Sequence, residues 1–311
     1  MRDLPSSRRR QLLAAGLTLG VSPRVASPLT IPASPLARSV PSTGVRLPII
    51  GLGTNRFRLG DEAWMTRLLE TLIEFQFRQG GRVIDTAPSY GDSEQAIGAL
   101  LARSGGLRER IFLATKVDRD SAEAGRERLA ASHAALRSPH LDLVQLHNLH
   151  GVDKVLPVLR ERQAAGVIGH IGITTSSAAQ YAEMEAVMRR ERLDFIQVDY
   201  AVGNRAAAER LLPLAIDRGM AVLINRPFGG GGQFRAVSGR PLPPWAAEMD
   251  CYSWAQVFLK YVLSQPAVSC AIPGSTQAEH VRDNFGAAHG RLPDENERQR
   301  IAGYFDAIAD A

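Results

Sequence analysis

The chain is poor in lysine. Of its 37 basic residues only Lys116, Lys154 and Lys260 are lysine. Where arginine meets almost every need for positive charge, a lysine closing an apolar run points to a need for a compact ammonium. Cysteine is scarcer still, with Cys251 and Cys270 alone in 311 residues. Two are too few for a disulfide framework or a metal site, and both read as buried free thiols. The uncharged apolar run Gln11 to Val21 falls short of the roughly 20 residues that a membrane-spanning helix requires. Net charge is also missing from most of the chain. The formal charge of +5 resides wholly in the first 38 residues, where six arginines face one aspartate, leaving 31 basic and 31 acidic residues in the remainder. A neutral body offers no electrostatic grip on a polyanion, which excludes nucleic acid as a partner.

The basic start has its own pattern. Ser7-Arg8-Arg9-Arg10 precedes the run Gln11 to Val21, and residues rich in Pro, Ser and Ala follow. Paired arginines before Leu12-Leu13 resemble a twin-arginine export signal, with Gln11 where such signals usually carry Phe. That resemblance implies the twin-arginine export machinery as a partner and a periplasmic protein, tethered to the membrane if the segment is retained. The alternative is a disordered basic tail on a cytoplasmic protein. Ser27 to Ser42 reads as a Pro/Ser-rich linker. The expected organisation is an export signal and linker over 1–42 and one folded domain over 43–311.

From Ile49 onward, short apolar runs alternate with segments of helical spacing. The runs are Ile49 to Leu52, Arg82 to Ile84, Ile111 to Thr115, Leu141 to Leu146, Ile168 to Ile173, Phe195 to Val198, Ala221 to Ile224 and Val268 to Ile272. Between them lie segments such as Trp64-Leu68-Leu69-Leu72-Ile73-Phe75 and Trp254-Val257-Phe258-Tyr261-Val262. Continuous apolar strands with helical crossovers predict a parallel sheet covered on its outside. Eight repeats predict closure into a (β/α)₈ TIM barrel. An open doubly wound sheet would want a glycine fingerprint after its first strand, and Gly51-Leu52-Gly53-Thr54-Asn55-Arg56 lacks the third glycine.

Active sites of such barrels lie at the carboxyl ends of the strands. The second run leads into Asp85, and Pro88 forbids further ladder pairing, so an acid stands where a strand enters a loop. Tyr90-Gly91 makes a turn, and Asp92 with Gln95 has the pattern of a capping box opening a helix over Ser93 to Arg103. The third run ends in Lys116 and the fourth in His147-Asn148. Each residue alone has a bland reading: an acid bonding its own loop, a lysine reaching for water, a core histidine. Together they bring an acid, a phenol, an ammonium and an imidazole to one mouth.

This constellation resembles the aldo-keto reductase family over about Val40 to Ala288. Asp85, Tyr90, Lys116 and His147 match its catalytic tetrad, and Gly91-Asp92-Ser93-Glu94 its continuation after the tyrosine. Further matches are Gly51-Leu52-Gly53-Thr54, Gly166 to Thr175, Gln197-Val198-Asp199-Tyr200, and Ile272-Pro273-Gly274-Ser275 with Asp283-Asn284. The resemblance implies reduction of a small-molecule aldehyde or ketone by hydride from NADPH, with NADH possible. A phenol ionises near pH 10 and needs help of about two to three units to act as an acid at neutral pH. In this reading Lys116 supplies the help, Asp85 holds Lys116, Tyr90 donates the proton and His147 orients the carbonyl oxygen.

The resemblance also places the cofactor. Gly53, Thr54, Thr174, Thr175, Gln197, Asn225, Arg226, Pro227, Phe228, Gly229, Pro273, Gly274, Ser275, Thr276, His280 and Asn284 are its expected contacts. Several depart from the family. Thr174-Thr175 stands where Ser-Asn is common, and Asn225 where an aromatic ring would stack. Thr276 replaces a basic residue expected at the adenosine 2′-phosphate, leaving His280 or Arg282 as substitutes. Two other readings of the barrel stay open: a lyase with Lys116 as Schiff-base nucleophile, and a nucleotide-binding sensor or docking module.

Overall fold

The computed structural model describes residues 34–309; the arginine-rich start and its export reading lie outside them. A hairpin comes first, β1 (Ala37–Ser39) paired antiparallel with β2 (Arg46–Pro48). Eight parallel strands follow: β3 (Leu52–Gly53), β4 (Val83–Asp85), β5 (Phe112–Val117), β6 (Leu141–His147), β7 (Ile168–Thr174), β8 (Phe195–Asp199), β9 (Ala221–Asn225) and β10 (Cys270–Ala271). Helices α1 (Glu62–Ile73), α2 (Ser93–Arg103), α3 (Ala122–Leu136), α4 (Val152–Ala164), α5 (Tyr181–Arg190) and α6 (Ala207–Asp217) make the first six crossovers. The seventh carries the short α7 (Gly232–Ala236) and then α8 (Trp254–Leu263). After β10 come α9 (Ala278–Gly286) and α10 (Glu295–Ala309).

The sheet runs in chain order from β3 to β10, and its two ends meet. Gly51 N donates to Ala271 O at 2.8 Å, Ala271 N to Ile49 O at 2.9 Å, and Gly53 N to Pro273 O at 3.0 Å. Parallel bridges Ile50 to Ala271 and Gly53 to Gly274 complete the closure. The expected (β/α)₈ barrel is the observed fold.

Two apolar layers hold it. Between strands and helices, α1 buries Met65, Leu68 and Leu72, one face at helical spacing, against the outside of the sheet. Inside the barrel a separate cluster joins Val83, Phe112, Leu143, Phe195, Leu223 and Cys270 to Val40 and Leu47 of the hairpin. The hairpin is therefore a plug for the amino-terminal mouth of the barrel. This corrects the boundary at residue 42, because Ala37–Ser39 of the expected linker forms a strand and Val40 is fully buried. Arg38 fixes the plug by donating to the carbonyls of Leu263 (2.8 Å), the last residue of α8, and of Gln265 (3.3 Å) and Val268 just after it.

Hydrophobicity located the strands and misjudged their ends. β5 runs on through Lys116 to Val117, and β4, β6, β8 and β9 end on Asp85, His147, Asp199 and Asn225. Ladder register with the neighbours, not side-chain polarity, sets where a barrel strand stops. The capping box at α2 is absent: Asp92 makes no cap bond, and its Oδ2 accepts from Leu59 N at 3.0 Å. That carboxylate ties the loop after β3 to the start of α2.

One contact between crossovers is tight enough to test. Gly98 in α2 lies against α3, and a Cβ there would overlap the Ala135 carbonyl oxygen. Alanine would gain about 1 kcal/mol in helix propensity, yet overpacking of this kind costs about 1 to 3 kcal/mol. Gly98→Ala is expected to lower the urea midpoint at unchanged slope; a raised midpoint would show that α2 and α3 separate freely.

Candidate active site

β4 ends on Asp85 and β5 carries Lys116, and alternation along each strand points both side chains into the barrel. Lys116 Nζ donates to Asp85 Oδ2 at 2.7 Å and to Thr86 O at 2.8 Å. The side chains of Lys116 and Asp85 are 0% and 3% exposed, so this lysine is not reaching for water. Gln197 Nε2 donates to the other carboxylate oxygen at 2.8 Å, and Gln197 Oε1 accepts from Thr174 Oγ1 at 3.3 Å. Burial opposes the Lys116 charge, but the Asp85 carboxylate and the Tyr90 phenol outweigh it, and its pKa rises. A raised value is the opposite of what a Schiff-base nucleophile needs.

Tyr90 stands over this pair. Lys116 Nζ lies 5.0 Å from the centre of the phenol ring. The Tyr90 and His147 rings meet edge to face with centroids 6.1 Å apart. Burial, then the Lys116 charge, depresses the His147 pKa to about 4, so its imidazole is neutral at neutral pH. Ser89 Oγ lies 3.3 Å from His147 Nδ1. With that hydroxyl as donor, the ring proton sits on Nε2 and is free to donate elsewhere.

The residues after the tyrosine serve as scaffold. Ser93 Oγ donates to Thr54 O at 2.9 Å, and Thr54 Oγ1 donates to Asp85 O at 2.9 Å. Glu94 is buried and accepts from Thr115 Oγ1 (2.6 Å) and Ser132 Oγ (3.2 Å), and burial raises its pKa. The loop after β3, the start of α2 and strands β4 and β5 are thus bound together behind Tyr90.

A cavity of about 460 Å³ opens at the carboxyl ends of the strands and is lined by Asp85 and Tyr90. Of the expected cofactor contacts, Gly53, Thr54, Asn225, Arg226, Pro227 and Phe228 line it, as do Gly274, Ser275, Thr276 and His280. The others do not. Thr174 braces Gln197, and Gln197 braces Asp85. The Thr175 hydroxyl donates to Gln180 Oε1 at 2.6 Å. Pro273 O is used in barrel closure, Asn284 is buried in α9, and Gly229 yields its place in the lining to Gly230 and Gly231. Arg282 is no candidate for a 2′-phosphate, since its guanidinium makes two 3.1 Å bonds to the buried Glu74.

The sequence reading missed Arg56, Phe234, Gln277 and Ile272, which also line the cavity. For Arg56 a signal existed, two residues beyond Thr54 in the loop leaving β3. Asn225 Nδ2 donates to Thr175 O at 3.1 Å, while its Oδ1 is buried without a partner among the described residues. The walls are backbone in places, because a Cβ on Gly53 would stand 2.8 Å from Ile272 O and one on Gly274 3.1 Å from Asn55 Oδ1. Such a cleft admits a long polar ligand between the phenol and α9. Among the described residues no group of His, Cys, Asp and Glu is placed to hold a metal ion. Cys251 and Cys270 are buried and unbridged, and burial pushes both thiols up.

Known proteins resemble the chain in sequence and in fold. The chain is 28% identical over 251 residues to methylglyoxal reductase YeaE of Escherichia coli, spanning 78% of this chain and 86% of that one. It is 26% identical over 312 residues to the NADH-specific methylglyoxal reductase of the same organism, spanning 81% and 93%. An aldo/keto reductase from Klebsiella pneumoniae, solved in complex with NADP and acetate, superposes with a TM-score of 0.70 at 23% identity over 84% of this chain and 93% of that one. The family model described as "Aldo/keto reductase family" matches residues 49–301, which takes in every strand of the barrel. A match of that extent, running through the strand ends that carry Asp85, Tyr90, Lys116 and His147, shows that the chain belongs to the aldo/keto reductase family.

Proposed function

We propose that the protein reduces a small aldehyde or ketone to the alcohol with a reduced nicotinamide dinucleotide, and that Tyr90 donates the proton. The observation that carries this reading is the buried Asp85–Lys116 pair directly beneath a phenol that lines the cavity. The orphan Asn225 oxygen and the glycine-walled cleft fit a nicotinamide dinucleotide lying from Tyr90 toward His280. When bound, the dinucleotide supplies the hydride. Lys116 stabilises the phenolate left on Tyr90, Asp85 and Gln197 keep Lys116 charged and fixed, and neutral His147 donates from Nε2 to the carbonyl oxygen as charge develops there. Methylglyoxal, the substrate that names both reductase relatives, is the first compound for a substrate screen.

Tyr90→Phe is expected to lower turnover about 10²- to 10⁴-fold, the usual loss for general acid catalysis, with dinucleotide binding retained. Lys116→Met should also lower it, and the two losses should not add, because an acid and the group that tunes it act as one unit. Steady-state kinetics on the single and double variants reads this, and full activity in Tyr90→Phe would sink the mechanism.

Weak preference between NADPH and NADH follows from the far end of the cleft. Arg282 is held by Glu74, and Thr276 offers only a hydroxyl. The two dissociation constants are expected to differ by less than about a thousandfold, roughly 4 kcal/mol. Fluorescence titration measures both, and a larger ratio would assign His280 or another group to the 2′-phosphate.

We further propose export by the twin-arginine route, on the support of Arg8-Arg9 before the run Gln11 to Val21. A barrel loaded with its cofactor suits a pathway that carries folded chains. Replacing both arginines with lysine should trap the protein in the cytoplasmic fraction, and unchanged periplasmic recovery would refute the route.

A further inference from the structure

His147 closes β6, and the chain that follows leaves in a conformation that side chains rarely adopt. Asn148 sits at φ 52° and Leu149 at φ 61°, two consecutive left-handed residues neither of which is glycine. Backbone of this kind is costly and persists only where its surroundings hold it. Three contacts do so. Leu149 is buried in the core, and His150 N donates to His147 O at 3.1 Å across the turn. The third comes from 32 residues away, where Gln180 Nε2 donates to the Asn148 carbonyl at 3.0 Å. Gln180 ends the short turn Ala178–Gln180 between β7 and α5.

A neighbour decides which way the Gln180 amide faces. Thr175 is fully buried, and its hydroxyl accepts from Ser177 N at 3.1 Å and donates to Gln180 Oε1 at 2.6 Å. The amide oxygen is thereby committed to Thr175, and the amide nitrogen is left to the Asn148 carbonyl. The residue before Asn148 is His147, whose ring meets Tyr90 edge to face. On the ring itself the hydrogen-bond contact is Ser89 Oγ at 3.3 Å, from an exposed serine. That contact is long and open to water, whereas the tie through Gln180 starts from a buried threonine. The firmer restraint on His147 therefore acts through its backbone.

We propose that Gln180 is a positioning residue for carbonyl reduction: it holds the strained turn at Asn148 and Leu149 and so sets the His147 ring beside Tyr90. The inference rests on the reductase reading above and adds to it a residue that acts only through His147. A carbonyl freed by loss of Gln180 lies at the surface, where water can bond it, so the turn relaxes and the fold survives. What changes is the direction of the imidazole. A hydrogen bond made to the developing oxyanion depends steeply on that direction, while dinucleotide binding does not.

Two variants of nearly the same length test this. Gln180→Glu keeps an acceptor for Thr175 and loses the donor to Asn148, and Gln180→Met loses both. Each is expected to lower kcat about 10- to 100-fold, the usual cost of a misplaced group, with dinucleotide dissociation constants unchanged. Each should also move the His147 ring signals in a histidine-selective ¹⁵N–¹H spectrum of the free protein. In a His147→Ala background Gln180→Met should cost nothing further, because a positioned group and its positioner act as one unit. Unmoved His147 signals would overturn the positioning whatever the activity. An equal loss of kcat with and without His147 would overturn it too, leaving Gln180 a general structural role. Wild-type protein that reduced no aldehyde or ketone, while the His147 signals moved as expected, would instead overturn the reductase reading.

Discussion

The site depends on one ion pair buried in a barrel. Lys116 and Asp85 meet at 2.7 Å with almost no exposure of either side chain, and burying two charges costs several kcal/mol per ion before their attraction repays it. A barrel interior filled with apolar side chains would be as stable or more so. The pair is also supported beyond its own contact, by Gln197 on the free carboxylate oxygen and Thr86 O on the ammonium. Such provision holds a permanent cation beneath Tyr90 with little freedom to move. Stability alone does not explain it, whereas the proton transfer proposed for Tyr90 would.

The rest of the architecture follows from keeping that pair dry on one side and reachable on the other. The hairpin plugs the amino-terminal mouth with Val40 and Leu47, and Arg38 ties it to the carbonyl at the end of α8. Apolar side chains therefore fill the barrel below the pair. At the carboxyl mouth, Thr54, Ser93 and Glu94 lock the loop after β3, the start of α2 and strand β5 to one another through buried hydrogen bonds. Tyr90 therefore stands on a rigid base, which suits the proton donor proposed for this position.

The sequence showed the barrel because eight apolar runs at regular spacing have few other solutions, and it showed the tetrad because those residues sit at the ends of the runs. Strand ends were less legible, since Lys116 and Asp199 continue strands that hydrophobicity alone would stop. Asp92 misled for a related reason: an acid before a helix reads as a cap, yet its carboxylate bonds Leu59 N, which is 33 residues away in the chain. The roles of Thr174, Gln197 and Arg282 were hidden by the same distance. Each is a residue beside a motif whose partner, Gln197, Asp85 or Glu74, is fixed only by the closed fold.

The two ends of the cleft are built on different terms, and the difference matches what each must do. Around Asp85, Lys116, Gln197 and Thr174 the bonds are buried and between side chains, and the two to Asp85 are short. Around Arg226 and Gly229 to Gly231 the chain is glycine-rich, left-handed and at least partly exposed, most openly at Arg226, Gly229 and Gly230. A proton donor gains from rigidity, whereas a dinucleotide has to enter and leave on every turnover if it is consumed as a substrate. Asn225 lies at the seam, its amide nitrogen tied to the Thr175 carbonyl and its oxygen unpaired at the cavity. Where a ring would stack by area, an amide oxygen selects by hydrogen bonding, and a buried acceptor without a donor is costly to leave unmet. That cost favours a ligand which brings a donor to this point, so the departure from an aromatic residue exchanges contact area for a polar requirement at the boundary between the fixed and the open halves of the site.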